Sequence, residues 1–311
     1  MNYPLFFDSS NSIQLHGLHK NFTFISNLYL NKNLPKVLML TGHKGSGKST
    51  LVNHFLYSIF DSDNYNKESF TFSKNTTFFK QFQSKIFSNI IYIKGSEFKS
   101  VKIEDIRNLK KIILQSSIYD LDRFIILDDI ELFNQNSLNA LLKTIEEPSK
   151  KDYFFLINNK SRPLLDTIKS RALEIKIMLN EAQRLEIIDK LLNIFKLELY
   201  LDPKTSFLTP GNFLKYNYLC KEYDISPSND LVKNFSLILD LYKKHKDILF
   251  INLAHFIGDY YFKDLKNKNL IKDEKIFEIK DYIFENLNNF LLHNVNQNSL
   301  INAINDKLKY E

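Results

Sequence analysis

Gly42-His43-Lys44-Gly45-Ser46-Gly47-Lys48-Ser49-Thr50 is the stretch on which the reading of this chain turns. It holds three of the seven glycines of the 311-residue sequence. It fits, without a mismatch, the pattern of a glycine, four residues, then glycine, lysine and serine or threonine. An apolar run, Val37-Leu38-Met39-Leu40, precedes it, and an amphipathic segment from Leu51 to Phe60 follows. That order predicts strand, glycine-rich loop, helix. Glycine permits the positive φ angles that turn successive backbone N–H groups inward, and the result is an anion nest at a helix N-terminus. In such a loop Lys48 reaches the β- and γ-phosphates and Ser49 offers its hydroxyl to Mg²⁺. Gly42, Gly45, Ser46, Gly47 and Thr50 complete the expected site, and ATP with Mg²⁺ is the expected ligand. The competing reading is a plain glycine-rich turn, which the flanking strand and helix patterns disfavour. Whether the loop also hydrolyses nucleotide is a separate question.

Working outward, the first 180 residues alternate strand and helix patterns. Short apolar runs at 37–40, 89–93, 123–127 and 153–157 predict strands, separated by helical segments at 49–60, 101–116 and 136–147. Fully apolar strands alternating with helices imply a parallel sheet covered on both faces. A fifth strand is expected from Leu173 to Leu179, where the alternation suggests a half-exposed position. The segment 61–88 is polar and aromatic with little periodicity and reads as an insertion. After Asn180 no strand pattern recurs. Glu181 to Phe195 predicts an amphipathic helix with Leu185, Ile188, Leu191, Leu192 and Phe195 on one face. Thr209-Pro210-Gly211 marks a turn or helix start, and Ser226-Pro227-Ser228-Asn229 a second boundary. From there on the apolar spacing is helical. The expected architecture is an α/β phosphate-loop domain with a five-stranded parallel sheet over 1–179, a small helical domain over 180–226 and an all-α domain over 227–311.

Composition narrows the class. The chain is 44% hydrophobic and 25% charged, as expected of a globular protein. No apolar run approaches the roughly 18 residues that span a bilayer, so no membrane role is expected. The N-terminus, MNYPLFFDSS, lacks a basic region before its apolar patch, which argues against a signal peptide and for a cytoplasmic location. One cysteine, Cys220, excludes an intramolecular disulfide and a cysteine-cluster zinc site. The formal net charge of +6 rests mostly on scattered lysines, since only five of 42 basic residues are arginine. Scattered lysine is read as solvated surface rather than a nucleic-acid patch.

Three further places carry chemistry. Phe124-Ile125-Ile126-Leu127-Asp128-Asp129 reads as a buried strand ending in two carboxylates. At the C-terminal end of a strand beside a phosphate loop, Asp128 fits the Mg²⁺ shell, and Asp129 is a weak candidate to polarise water. The alternative is a strand-ending turn. Asn158-Asn159, after the strand 153–157, reads equally as a γ-phosphate contact or as bare loop. Arg171, between Ser170 and Ala172, reads in isolation as a surface ion pair.

The run VKIEDIRNLKK, then FIILDDIELFNQNSLNALLKTIEEPS, then FFLINNKSRPLLDTIKSRALEIKI, all within 101–177, resembles the clamp-loader subunits of bacterial DNA polymerase III, of the delta-prime type, in the AAA+ family. NALLKTIEEP, from Asn139 to Pro148, and the stretch from Leu164 to Arg171 are the most specific parts. The resemblance covers about residues 13–180; the remainder matches only as a helical lid and a helical collar. It implies a subunit of a five-membered assembly that opens a sliding clamp and places it on primed DNA, with gamma/tau-type and delta-type subunits as partners. It implies that Ser170-Arg171-Ala172 stands for the family's Ser-Arg-Cys motif, whose arginine enters the neighbouring subunit's ATP site as a finger. Ala172 replaces that motif's cysteine. No four-cysteine zinc module is present, although 61–88 lies where many relatives carry one. Thr209 to Lys215 reads TPGNFLK where motor subunits carry a sensor arginine, with Asn212 in its stead. The expectation is therefore a stator and finger donor with weak or absent ATPase activity of its own. An active gamma/tau-type ATPase is the alternative, and an unrelated AAA+ remodelling ATPase a weaker one.

Overall fold

The computed structural model describes residues 3–95, 103–114, 121–268, 273–293 and 295–309. The strands are β1 Val37–Thr41, β2 Tyr65–Asn66, β3 Thr71–Phe72, β4 Ile90–Lys94, β5 Arg123–Asp128, β6 Asp152–Asn158 and β7 Leu173–Lys176. Helices α1 His19–Leu30, α2 Lys48–Phe60, α3 Thr77–Gln83, α4 Ile103–Leu114, α5 Gln135–Glu146, α6 Asp166–Lys169 and α7 Glu181–Phe195 accompany them. Residues 101, 102, 115 and 116 of the expected helix 101–116 lie outside the described residues.

Five strands pair in the order β4-β5-β6-β1-β7, and every pair is parallel. This is the expected α/β sheet. Alternation of side chains splits its core into two layers. Leu38, Leu40, Phe124, Ile126, Phe155 and Ile157 face α1 and α2. Val37, Met39, Ile125, Leu127, Phe154 and Leu156 face α4, α5 and α6. Burial on both faces explains why these strands read as unbroken apolar runs. The register aligns Thr41 with Asn158, and Lys94 with Asp128, so the C-terminal ends of the strands form one rim. In open α/β sheets that rim, where strand order reverses, is where ligands bind. β7 pairs with β1 at the edge of the sheet; it is more exposed than the expected half-exposed strand, with Leu173, Glu174 and Lys176 all exposed, and it ends at Lys176 rather than Leu179.

The 61–88 segment, read as an insertion, lies between α2 and β4: β2 and β3 form a small antiparallel hairpin, and α3 packs beside it. Rings hold it together. Tyr57 stacks on Phe72 at 3.9 Å between centroids, and Phe78, Phe79 and Phe82 surround Tyr57. The buried face of α7 is Arg184, Ile187 and Ile188, with Leu185 only half-buried. Ile187 lies against Gly17, and the Arg184 guanidinium donates to the Leu208 carbonyl at 3.2 Å. A buried arginine is invisible to a count of apolar residues, so the predicted face was rotated.

The remaining helices are α8 Pro203–Ser206, α9 Pro210–Glu222, α10 Leu231–His245, α11 Ile248–Asn267, α12 Asp273–His293 and α13 Gln297–Lys309. The chain divides into two compact units. Tyr3–Lys196 with Phe207–Leu214 form one, and Leu197–Ser206 with the chain from Lys215 on form the other. In the second, α10 packs on α11 and α13, and α12 packs on the same two helices. Ile238, Leu239, Phe250, Ile257, Ile283 and Ile304 are among the residues buried there. No helix among the described residues is long and apolar enough to cross a membrane.

Candidate functional site

The loop 42–47 leaves the C-terminal end of β1 and enters α2. Gly45 and Gly47 have φ of +83° and +92°, the left-handed region that glycine adopts at little cost. Gly47 is the N-cap of α2, so the helix's first N–H groups open onto the loop. Gly42 is fixed by its N–H to the Asn158 carbonyl, 3.1 Å.

Lys48 is 3% exposed. Its ammonium donates to Gly42 O at 2.7 Å, His43 O at 2.8 Å and Ser46 Oγ at 3.4 Å. Burial pushes it down to about 8, against the pull of Asp128, Glu131 and Asp129 in the opposite direction. Thr50 follows Ser49 on the first turn of α2.

Ser49 Oγ donates to Asp128 Oδ2 at 3.0 Å, so the helix start and the end of β5 meet as the sequence suggested. The same oxygen accepts from the Tyr92 hydroxyl at 2.6 Å. Burial and the neighbouring Asp128 carboxylate raise the Tyr92 phenol well above its ordinary value. Asp128 Oδ1 accepts from the Asp129 N–H at 2.9 Å. A hydroxyl and a carboxylate oxygen side by side fit a hard cation such as Mg²⁺, which takes few protein ligands and keeps phosphate oxygens and water. Among the described residues no three His, Cys, Asp or Glu side chains converge into a metal cage.

Asp129 has φ of +54° and is buried. Its Oδ1 accepts from Lys44 Nζ at 3.2 Å and from Asn159 Nδ2 at 2.7 Å. Asn159 is thus brought to the strand-end carboxylates. Asn158 is not, through its side chain: its Oδ1 accepts from the Lys160 N–H at 2.9 Å. Sequence reasoning missed Glu131, which accepts from the Asn159 N–H at 3.1 Å and the Ser161 hydroxyl at 2.7 Å. It also missed Lys44 and Tyr92. Glu131 had a signal, since it continues the acidic run Asp128-Asp129-Ile130-Glu131; Tyr92 had none without the strand register.

Arg171 follows α6 and stands apart from this cluster in its bonding. Nε donates to Glu146 Oε1 at 2.6 Å, and NH1 donates to Thr167 O at 2.8 Å and Ser170 Oγ at 3.4 Å. Its side chain is 35% exposed.

A family model described as DNA polymerase III, delta subunit, matches residues 18–181. The DNA polymerase III subunit delta' of Pseudomonas aeruginosa is 34% identical over 76 residues, 24% of this chain and 23% of its own. That of Buchnera aphidicola subsp. Baizongia pistaciae is 27% identical over 154 residues, 47% of this chain and 44% of its own. The DNA polymerase III subunit gamma of Buchnera aphidicola subsp. Acyrthosiphon pisum is 25% identical over 193 residues, 62% of this chain and 50% of its own. The chain therefore spans half or less of the length of these relatives. Among solved structures, a DNA polymerase III gamma subunit-related protein of Thermotoga maritima is 16% identical, covers 91% of this chain and 96% of its own, and has a TM-score of 0.46. With more than half of its length matched by that model, the chain belongs to the DNA polymerase III delta-subunit family of clamp-loader proteins.

Proposed function

We propose that the chain is a delta-prime-type subunit of a clamp loader that binds Mg-ATP, turns it over slowly if at all, and lends Arg171 to a neighbouring subunit's nucleotide. In this reading Gly42, Gly45, Ser46, Gly47, Lys48, Ser49 and Thr50 cradle the phosphates, Asn158 and Asn159 border them, and Ser49 with Asp128 hold the metal. Bound there, Mg²⁺ would neutralise charge on the phosphates. The residues from 180 to 226 serve as lid and those from 227 to 311 as the collar that joins gamma/tau-type and delta-type partners. The assembly acts on the sliding clamp and primed DNA.

The observation that carries slow turnover is the pairing at Asp129. One oxygen of its carboxylate, Oδ1, accepts from both the Lys44 ammonium and the Asn159 amide. A carboxylate held by a cation is a poorer base. Asp is also one methylene shorter than the glutamate usual in related ATPases.

The intact phosphate loop and the Ser49–Asp128 contact favour a second reading, an active gamma/tau-type ATPase. Nucleotide titration and turnover measured on the isolated chain and on the reconstituted complex separate the two. Binding of Mg-ATP with negligible turnover by the isolated chain is expected. Turnover of about 1 s⁻¹ or more, the low end of ordinary enzymes, would favour the motor. No binding at millimolar ATP would make the loop a structural relic.

A further inference from the structure

The turn Thr209-Pro210-Gly211-Asn212, which opens α9, touches the phosphate loop directly. Thr209 Oγ1 donates to the Lys44 carbonyl at 2.6 Å. The Gly211 N–H donates to the Gly45 carbonyl at 2.9 Å. The two backbones approach closely. A Cβ built on Gly45 would lie 2.5 Å from Thr209 Oγ1 and 2.7 Å from Asn212 N. One built on Gly211 would lie 3.0 Å from Gly45 O and 3.1 Å from Gly45 Cα. Glycine on both sides is what permits the contact.

Both donors reach carbonyl oxygens. In a trans peptide C=O and N–H point in opposite directions. The Lys44 carbonyl shares its peptide with the Gly45 N–H, and the Gly45 carbonyl with the Ser46 N–H. The Gly45 N–H therefore points away from the turn, while the Ser46 N–H donates within the loop to the His43 carbonyl at 3.3 Å; a hydrogen bond at each carbonyl polarises its peptide and strengthens the N–H as a donor.

We infer that this turn is a brace in which Thr209 and Gly211 act as positioning residues, holding the Lys44–Gly45 peptide oriented for phosphate and pinning the Gly45 carbonyl before any nucleotide arrives. The start of α9 is docked on the loop by its own hydrogen bonds and needs no ligand to bring it there. The loop's grip on phosphate then depends on residues 165 positions away in sequence.

Hydrogen exchange on the full ligand-free chain tests the brace. In the wild type, segments 42–47 and 209–214 should both be protected. Thr209→Val should speed exchange in both by about two- to tenfold, the range of one net hydrogen bond, and Thr209→Ser should restore protection. Gly211→Ala separates the brace from simple helix strength. Alanine favours a helix over glycine by about 1 kcal/mol, so a local helix role alone predicts slower exchange in 209–214. The brace predicts faster exchange in both segments, because the new methyl meets Gly45 backbone. Unchanged exchange at 42–47 in Thr209→Val, or slower exchange in both segments of Gly211→Ala, overturns the inference.

A second arm rests on the nucleotide reading above. Mg-ATP binding should weaken about two- to tenfold in Thr209→Val and not in Thr209→Ser. Equal affinity in wild type and Thr209→Val overturns the positioning role. A wild type that binds no ATP, yet shows the exchange pattern, refutes the nucleotide reading and leaves the brace standing.

Discussion

Lys48 is an ammonium kept out of water and held by the loop's own carbonyls. Its folded value of about 8 lies below the ordinary 10.5, so between those values the unfolded chain binds more protons. By linkage, the cost of burying the charge is present below pH 8 and is relieved as pH rises through it. Phosphate binding works the other way. A polyanion beside Lys48 favours the charged form and lifts its pKa. Below about pH 8 the ammonium is already present, and affinity for Mg-ATP should be flat. Above pH 8 binding must take up a proton, and affinity should fall by up to about tenfold per pH unit. Titration calorimetry from pH 7 to 9.5 checks this, with Lys48→Met expected to bind weakly and without the pH step. A wild-type affinity constant across that range would remove Lys48 from the phosphate contact. The neighbouring residues are organised by the same economy of partners. Tyr92 and Ser49 share one oxygen of Asp128, while Lys44 and Asn159 share one of Asp129.

At the scale of elements, the 61–88 segment is where packing replaces pattern. Its strands are two residues long, too short to show a period, and its stability comes from rings that meet across the chain: Tyr57 with Phe72, Phe60 with Phe78, and Phe60 with Phe87. Phe72 is 5% exposed, and truncating a buried phenylalanine costs about 3–5 kcal/mol. Phe72→Ala should therefore lower stability by about that amount in denaturant unfolding, whereas prolonged chelation with EDTA should leave the thermal midpoint unchanged. A midpoint that drops on chelation would show a metal in place of the ring cluster as the fastening. The contrast with the sheet explains what could be read in advance. The strands expected at 37–40, 89–93, 123–127 and 153–157 occur at Val37–Thr41, Ile90–Lys94, Arg123–Asp128 and Asp152–Asn158, because cover on both faces, nearly complete for β1, β5 and β6 and partial for β4, writes itself as an apolar run. The Ser49–Asp128 juxtaposition was legible for a related reason: parallel strands flanking a glycine-rich loop end at one rim. The partners of Asp129, the role of Glu131 and the buried face of α7 were not legible. Each depends on a long-range pairing, Lys44 with Asp129, Glu131 with Ser161, Ile187 with Gly17, that no local spacing encodes.

For the whole molecule, the proposed division of labour puts phosphate binding and the finger on the same unit but in different bonding networks. Arg171 lies beyond α6, tied to Glu146 at the end of α5, while the phosphate loop is tied to β5, β6 and the start of α9. A part-exposed ion pair such as Arg171–Glu146 is worth about 0–1 kcal/mol. An arginine finger on a phosphate whose charge develops in the transition state can be worth about 10³–10⁵ in rate. On the proposed reading that ion pair is too weak to hold the guanidinium back from a neighbour's nucleotide, and its loss is too small to unfold the chain. Arg171→Ala should melt within a few degrees of wild type and enter the complex, then lower DNA-stimulated ATP hydrolysis and clamp loading by about a hundredfold or more. Arg171→Lys should also be impaired, because a point charge cannot reproduce the planar donor fork. Glu146→Gln, which removes the ion pair but keeps the arginine, should leave the rate near wild type. Lys48→Ala in the same chain should cost less than Arg171→Ala, since it empties only this subunit's own loop. A complex carrying Arg171→Ala with full ATPase would sink the finger assignment. A Lys48→Ala defect larger than that of Arg171→Ala would instead make this chain a motor, with Asp129 released from Lys44 and Asn159 once nucleotide is bound.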